Sequence, residues 1–254
     1  MLTRSVRSSL ALLALAATVA CSSPPAAPPP TGGGKKVDPV TASVLMGKVT
    51  FTGIAPAPEP IRMAAADPNC TEGAGPNPLS DAVLITDGGL QNVFVYVKQG
   101  LDPAYSFDVP TKAVEIDQHG CMYTPRVLGV RAGQPIQVVN NDNTMHNVHS
   151  LPASNRELNQ STPARGTTAT QTFTMPEVMV RFKCDVHGWM TAWVGVVAHP
   201  FFAVTSADGV YEIKGLPPGT YTIEAWHEKF GTKTSQVTIG EHTTQTLSFV
   251  FSPS

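Results

Sequence analysis

Cys184, His187 and Met190 stand together in the run Cys184-Asp185-Val186-His187-Gly188-Trp189-Met190, and His146 lies well upstream. Together they offer one thiolate, two imidazoles and one thioether. The soft thiolate and thioether suit Cu(I), the imidazoles suit Cu(II), and this donor set belongs to mononuclear copper sites that pass single electrons. A site acceptable to both oxidation states rearranges little on reduction, so electron transfer is the first function to consider. Zinc is the competing metal, because Cys and His bind it too. A thioether is a poor zinc ligand, so Met190 favours copper. Taken singly, these residues have plainer readings. A buried cysteine is usually a small hydrophobe, and a loop methionine beside Trp189 can simply pack.

The surrounding pattern says how such donors are positioned. In residues 178–184, Val178, Val180, Phe182 and Cys184 alternate with Met179, Arg181 and Lys183, which predicts a half-buried strand. Cys184 is then its last inward residue, and His187 follows from the loop. Upstream, Asn140 to Asn143 read as a polar turn leading to His146-Asn147-Val148-His149. Alternation puts His146 on the side of Val148 and His149 on the opposite side. If Val148 faces the core, His146 faces the metal and His149 faces out.

These residues resemble the cupredoxins, the plastocyanin and azurin group, from about Ala113 to His199. Val130-Arg-Ala-Gly-Gln-Pro-Ile-Gln-Val-Val-Asn-Asn is similar to the family's glycine turn and the strand leading to its first ligand. His146-Asn147-Val148 resembles its first-histidine motif, and Phe182-Lys183-Cys184-Asp185-Val186-His187 its second ligand cluster. The resemblance implies an eight-stranded Greek-key sandwich binding one copper ion. His146, Cys184 and His187 would be equatorial ligands and Met190 the axial one. It also implies that His187 is the exposed edge through which electrons pass. One departure is the short spacing: only Gly188 and Trp189 separate His187 from Met190, fewer residues than plastocyanins usually have. That leaves axial coordination open.

The N-terminus carries Arg4 and Arg7, an apolar run from Leu10 to Ala20, and then Cys21. This is the layout of a secretory signal, and the run is too short for a membrane-spanning helix. Thr18-Val19-Ala20-Cys21 resembles a bacterial lipobox, which implies cleavage just before Cys21 and a lipid on its sulfur. The alternative is ordinary cleavage nearby. Residues 22–43 are rich in Ser, Pro, Ala, Gly and Lys and are expected to be a tether. The protein is therefore expected in the bacterial cell envelope, facing the periplasm, with the outer membrane favoured.

With Cys21 and Cys184 assigned, Cys70 and Cys121 remain in an oxidising compartment. A disulfide between them is the economical reading. Two free thiols beside a second metal site, with His119 and Met122 flanking Cys121, is the other.

The rest of the chain reads as all-β, with short alternating runs, frequent Gly and Pro and no long helical period. There are 17 Lys and Arg against 19 Asp and Glu, a net charge of −2, and no basic stripe that would suit nucleic acid. Near the C-terminus, Asp208-Gly209 marks a turn, and Leu216-Pro-Pro-Gly-Thr-Tyr221 leads into a further strand. This resembles the carboxypeptidase regulatory-like module, a transthyretin-type (immunoglobulin-like) β-sandwich. Its usual opening strands do not precede Phe202. Similar strands occur at Met46–Phe51 and Asn92–Val97. One sandwich built from 44–100 and 200–252, interrupted by a cupredoxin domain at 101–199, is expected; two sequential domains are the alternative.

The function expected is a membrane-tethered electron carrier with an unidentified redox protein as partner. The alternatives are non-redox copper storage or delivery, or an envelope sandwich binding carbohydrate or protein. An enzyme is not expected: the seven histidines form no His-x-His pair, and no catalytic triad or phosphate-cradling loop stands out. Trp189 and Trp193 read either as a docking patch or as core, and Trp226 and His227 as packing.

Overall fold

The computed structural model describes residues 33–75 and 77–253. The expected signal at 1–21, the lipid site Cys21 and the first part of the tether lie outside the described residues. Four sheets form the molecule, with short helical turns only at Met63–Ala66, Pro68–Cys70 and Thr71–Ala74 among the described residues.

Two of the sheets make the sandwich that holds the candidate ligands. One has five strands, in spatial order Leu158–Thr162, His146–Leu151, Glu177–Lys183, Thr191–Val197 and Val127–Arg131. The other has four, in order Thr168–Thr172, Pro135–Asn140, Val114–His119 and Met122–Thr124. Inward residues at every second position fill the space between them, among them Ile116, Ile136, Val138, Val148, Val180, Phe182 and Val194.

The other two sheets join segments from both ends of the chain. Ser43–Phe51 pairs antiparallel with Val210–Leu216 and parallel with Phe249–Phe251. Phe94–Gln99 lies between Phe202–Val204 and Gly219–His227. The N- and C-terminal segments thus share one core, which includes Leu45, Val95, Tyr211, Ile213 and Ile223.

Three boundaries differ from those the sequence suggests. Residues 33–42, expected as tether, are paired with the second sandwich: the Lys35 amide donates to the Ala104 carbonyl, and Val37 packs on that core. Leu101 and Phe107 pack on the same core, so the ligand-bearing sandwich starts nearer Val114 than 101. Conversely, the excursion from Ile61 to Ala74 leaves the second sandwich. Ile61, Met63, Cys70 and Ala74 pack against the ligand-bearing core, because their apolar side chains find cover there and Cys70 is bonded into it.

The strand at 178–184 also departs from simple alternation. A register shift between Glu177 and Val180 turns Val178 and Met179 toward a third cluster. Regular alternation starts at Val180. That third cluster lies between the sandwiches. Phe94 and Tyr96 enter it from one side, Val127, Val197 and Trp193 from the other. Phe94–Gln99 is therefore a shared wall, sending Val95 and Val97 into its own core and Phe94 and Tyr96 toward the neighbour. Gly129 and Gly195, paired in register, make room for these rings: a Cβ on either would strike the Phe94 ring.

Candidate metal centre

His146 opens the strand His146–Leu151, and Val148 beyond it is fully buried, which turns the His146 ring inward. His149, on the opposite face, is held outside by Asp185 (2.8 Å) and Glu157 (2.7 Å). Cys184 follows directly on the strand Glu177–Lys183. The loop beyond it is short because two backbone bonds close it. The Met190 amide donates to the His187 carbonyl (3.0 Å), and the Cys184 amide donates to the Met190 carbonyl (3.3 Å).

The result is a buried convergence. His146, Cys184 and His187 place one donor atom each within 4.8 Å of one another. The two Nδ1 atoms are 2.9 Å apart, and His187 Nδ1 is 3.9 Å from the Cys184 sulfur. Met190 is fully buried in the same core cluster as Cys184. Backbone amides of Asn147 and His187 both donate to the sulfur at 3.4 Å. Burial opposes ionisation of the thiol, but hydrogen bonds from His146 and His187 and from these amides outweigh it. Together they bring Cys184 down to about 5.

The outward nitrogen of each imidazole meets a carboxylate. His146 Nε2 is 2.8 Å from Asp142 Oδ2, and His187 Nε2 is 3.4 Å from Asp67 Oδ2. Such partners fix the ring orientation and raise the basicity of a metal-binding histidine. Asp142 is itself fixed by the amides of Gly120 (2.7 Å) and Cys121 (2.8 Å). Burial would raise the Asp142 pKa, but the His146 contact and these two amides hold it below the ordinary carboxylate value. Asp67 is lowered first by the Thr144 hydroxyl, which donates to it at 2.5 Å. The donor set fits copper: a thiolate at neutral pH, two imidazoles with Nδ1 turned inward, and a buried thioether beside them.

The expectation that His187 forms an exposed edge is corrected. His187 is 1% exposed, because Asp67 and the turns from Met63 to Ala74 lie over it. Cys70 and Cys121 form a disulfide, which ties these turns to the ligand-bearing sandwich next to the strand Met122–Thr124. Its sulfurs lie within 4.8 Å of a His187 nitrogen. Trp189 packs on the His187 ring, with centroids 5.3 Å apart, and donates its indole N–H to the Cys121 carbonyl (2.9 Å). Trp193 packs against Trp226 in a tilted pair with centroids 5.1 Å apart, and His227 is buried between Phe230 and Phe251.

Sequence reasoning missed three supporting residues. Asp142 carries a weak signal, a carboxylate four positions before His146. Asn147 accepts the Asp185 amide at 2.5 Å and so joins the two ligand segments, but an asparagine beside a histidine has no distinctive spacing. Asp67 carries no local signal, since only the fold brings it to His187.

Residues 194–252 match the family model of the carboxypeptidase regulatory-like domain. No curated protein matches the chain. Solved structures similar to it are cupredoxins. A purple cupredoxin from Nitrosopumilus maritimus is 19% identical, covering 33% of this chain and 99% of its own, with a TM-score of 0.29. A methionine-to-alanine mutant of amicyanin in its Cu(I) form is 19% identical over 41% of this chain and 98% of its own, with a TM-score of 0.31. A copper-containing nitrite reductase from Thermus scotoductus SA-01 is 23% identical over 38% of this chain and 27% of its own, with a TM-score of 0.29.

Proposed function

We propose that this chain is a one-electron carrier with a single copper site held by His146, Cys184, His187 and Met190. The observation that supports this most directly is the buried convergence of the Cys184 sulfur with the Nδ1 atoms of two carboxylate-held histidines. Bound copper supplies a Cu(II)/Cu(I) couple. The chain's own residues do the rest. Cys184 offers a preformed thiolate, the two carboxylates keep both rings oriented, and the closed loop from Cys184 to Met190 limits movement on reduction. Water is kept from His146 and His187 by burial.

On this reading the protein is a carrier rather than an enzyme, and it is held at a bacterial envelope membrane by lipid on Cys21. The basic, apolar and small-residue order of residues 1–21 supports that anchor. Among the described residues, no helix is long and apolar enough to cross a membrane.

The test is the full chain purified with its native metal. One copper per chain and an intense thiolate-to-copper absorption band are expected, and Cys184→Ser should abolish the band while the protein still melts cooperatively. A colourless copper protein without reversible redox behaviour would defeat the proposal.

A further inference from the structure

The sealing of His187 raises the question of where an electron enters. Met63–Ala74 lies over the second histidine and is fastened by the Cys70–Cys121 disulfide and by the Thr144–Asp67 hydrogen bond. The ring in contact with His187 that also reaches the surface is Trp189. One edge of its indole is fixed by the Cys121 carbonyl. The residue also lines a groove of about 560 Å³.

The charges of this groove are unbalanced. Arg126 pairs with both Asp81 and Glu228 (Nη2 to Oε2, 2.9 Å), a triad that keeps one negative charge. Arg62, Arg181 and Lys229 also line it, and none of them is ion-paired among the described residues. Against them stand Glu59 and the excess carboxylate of the Arg126 triad, so the cations of the described lining outnumber its carboxylates by one. Arg181 Nε and Trp193 Nε1 are buried donors without an acceptor. A molecule with a net charge of −2 thus presents a net positive lining, with the exposed side chains of Arg62 and Lys229, beside the side chain that touches His187. The surface at His149 is the opposite case, because the exposed carboxylates of Asp185 and Glu157 rim it.

We propose that this groove docks a redox protein with an acidic, carboxylate-bearing surface, and that Trp189 is the contact through which the electron passes. The inference rests on the electron-carrier reading above. The one electron lost by the partner's reduced centre would be taken up by the Cu(II)/Cu(I) couple that His146, Cys184, His187 and Met190 would hold. No proton or bond changes hands. Cations around a contact site steer an anionic partner and speed its association at low salt.

Two measurements on the full chain test this. In the first, metal-free protein is titrated with hexacyanochromate(III), a redox-inert paramagnetic anion, and followed by NMR. Amide signals of Arg62, Gly188, Trp189 and Lys229 should broaden first. The exposed double substitution Arg62→Glu, Lys229→Glu should remove that broadening. Broadening centred on another face, or spread evenly, overturns the docking site. In the second, copper-loaded protein is reduced by hexacyanoferrate(II) or by hexaammineruthenium(II) at low ionic strength. The double variant should react about tenfold more slowly with the anion and faster with the cation, its absorption spectrum unchanged. Equal rates for variant and parent, with the coloured site intact, overturn the electron contact at Trp189 alone. Failure to form a coloured site overturns the carrier reading and the Trp189 contact with it, and the chromium titration still reports the anion surface separately.

Discussion

At the residue scale, the firmness of the candidate centre is set by two carboxylates that are not ligands. Asp142 has the stronger hold, 2.8 Å from its histidine and anchored by two amides, while Asp67 sits 3.4 Å from the other. Replacing a carboxylate behind a metal-binding histidine typically costs about 10- to 100-fold in metal affinity. Asp142→Asn is therefore expected to weaken copper binding toward the upper end of that range, and Asp67→Asn toward the lower. Competition with a chelator of known affinity measures both; an Asp142 variant that binds as tightly as the parent would show that the contact does not position the ring. The candidate donors and the carboxylates behind them were unequally legible. Alternation around Val148 separates His146 from His149, because the side carrying His146, Val148 and Ser150 is buried throughout, while the other side opens toward solvent from His149 to Leu151. Asp67 lies far away along the chain, and no period or spacing connects it to His187.

The same contrast between near and far governs the elements. Strands with one buried face announce themselves by their period of two. Phe94–Gln99 lacks that alternation, since Phe94, Val95, Tyr96 and Val97 are all buried between two cores, and it was legible as a strand only through its resemblance to an opening strand of the C-terminal module. The turns from Met63 to Ala74 are too short to show a helical period, so the cap over His187 left no mark in the pattern. What holds the cap is covalent. Cys70 and Cys121 are 51 positions apart, and a cross-link closing such a loop contributes about 4 kcal/mol in the loop-entropy model. The double variant Cys70→Ser, Cys121→Ser is expected to lose stability of that order in denaturant unfolding. It should also open His187, so that hydrogen exchange across residues 63–74 and at the 187–190 loop quickens together. Faster exchange at the cap alone, with the loop as protected as before, would mean that the cap does not seal the centre.

At the scale of the whole molecule, the two sandwiches share a packed wall rather than a flexible joint. Gly129 and Gly195 admit the Phe94 ring, and protein interiors have little slack for an added side chain. Gly195→Val should cost about 1–3 kcal/mol, the usual range for overpacking, and should split the melting curve if the sandwiches unfold separately once the wall is spread. An unchanged melting temperature would show that the rings simply move aside. The interruption of one sandwich by the other was legible only because the C-terminal module lacks its opening strands and similar ones occur near residue 46 and residue 92; the wall itself, made of residues distant along the chain, was not.

One buried histidine, His227, and one half-buried histidine, His199, make the joined molecule sensitive to acid. His199 donates from Nε2 to the Val97 carbonyl (2.8 Å) and accepts the Phe201 amide at Nδ1 (3.3 Å). His227 accepts the Lys229 amide at Nδ1 (3.2 Å). In each ring the nitrogen that would take a proton already faces an N–H. Burial lowers both to about 4. Arg131 pushes His199 the same way, as do Arg126 and Lys229 at His227 against the opposing charge of Glu228. The unfolded chain takes these protons near 6.5, the ordinary histidine value, so it binds protons that the folded state refuses. Their contribution to stability is complete above pH 6.5 and is lost as pH falls from 6.5 through 4. Within that window each histidine adds about 1.4 kcal/mol of destabilisation per pH unit. Urea unfolding of the metal-free protein at pH 7 and at pH 5 should show this loss. His199→Gln with His227→Phe should make the pH dependence shallower by close to two protons, whatever the other titrating groups contribute to both proteins. An unaltered slope in that variant would mean that neither ring is kept neutral by the fold.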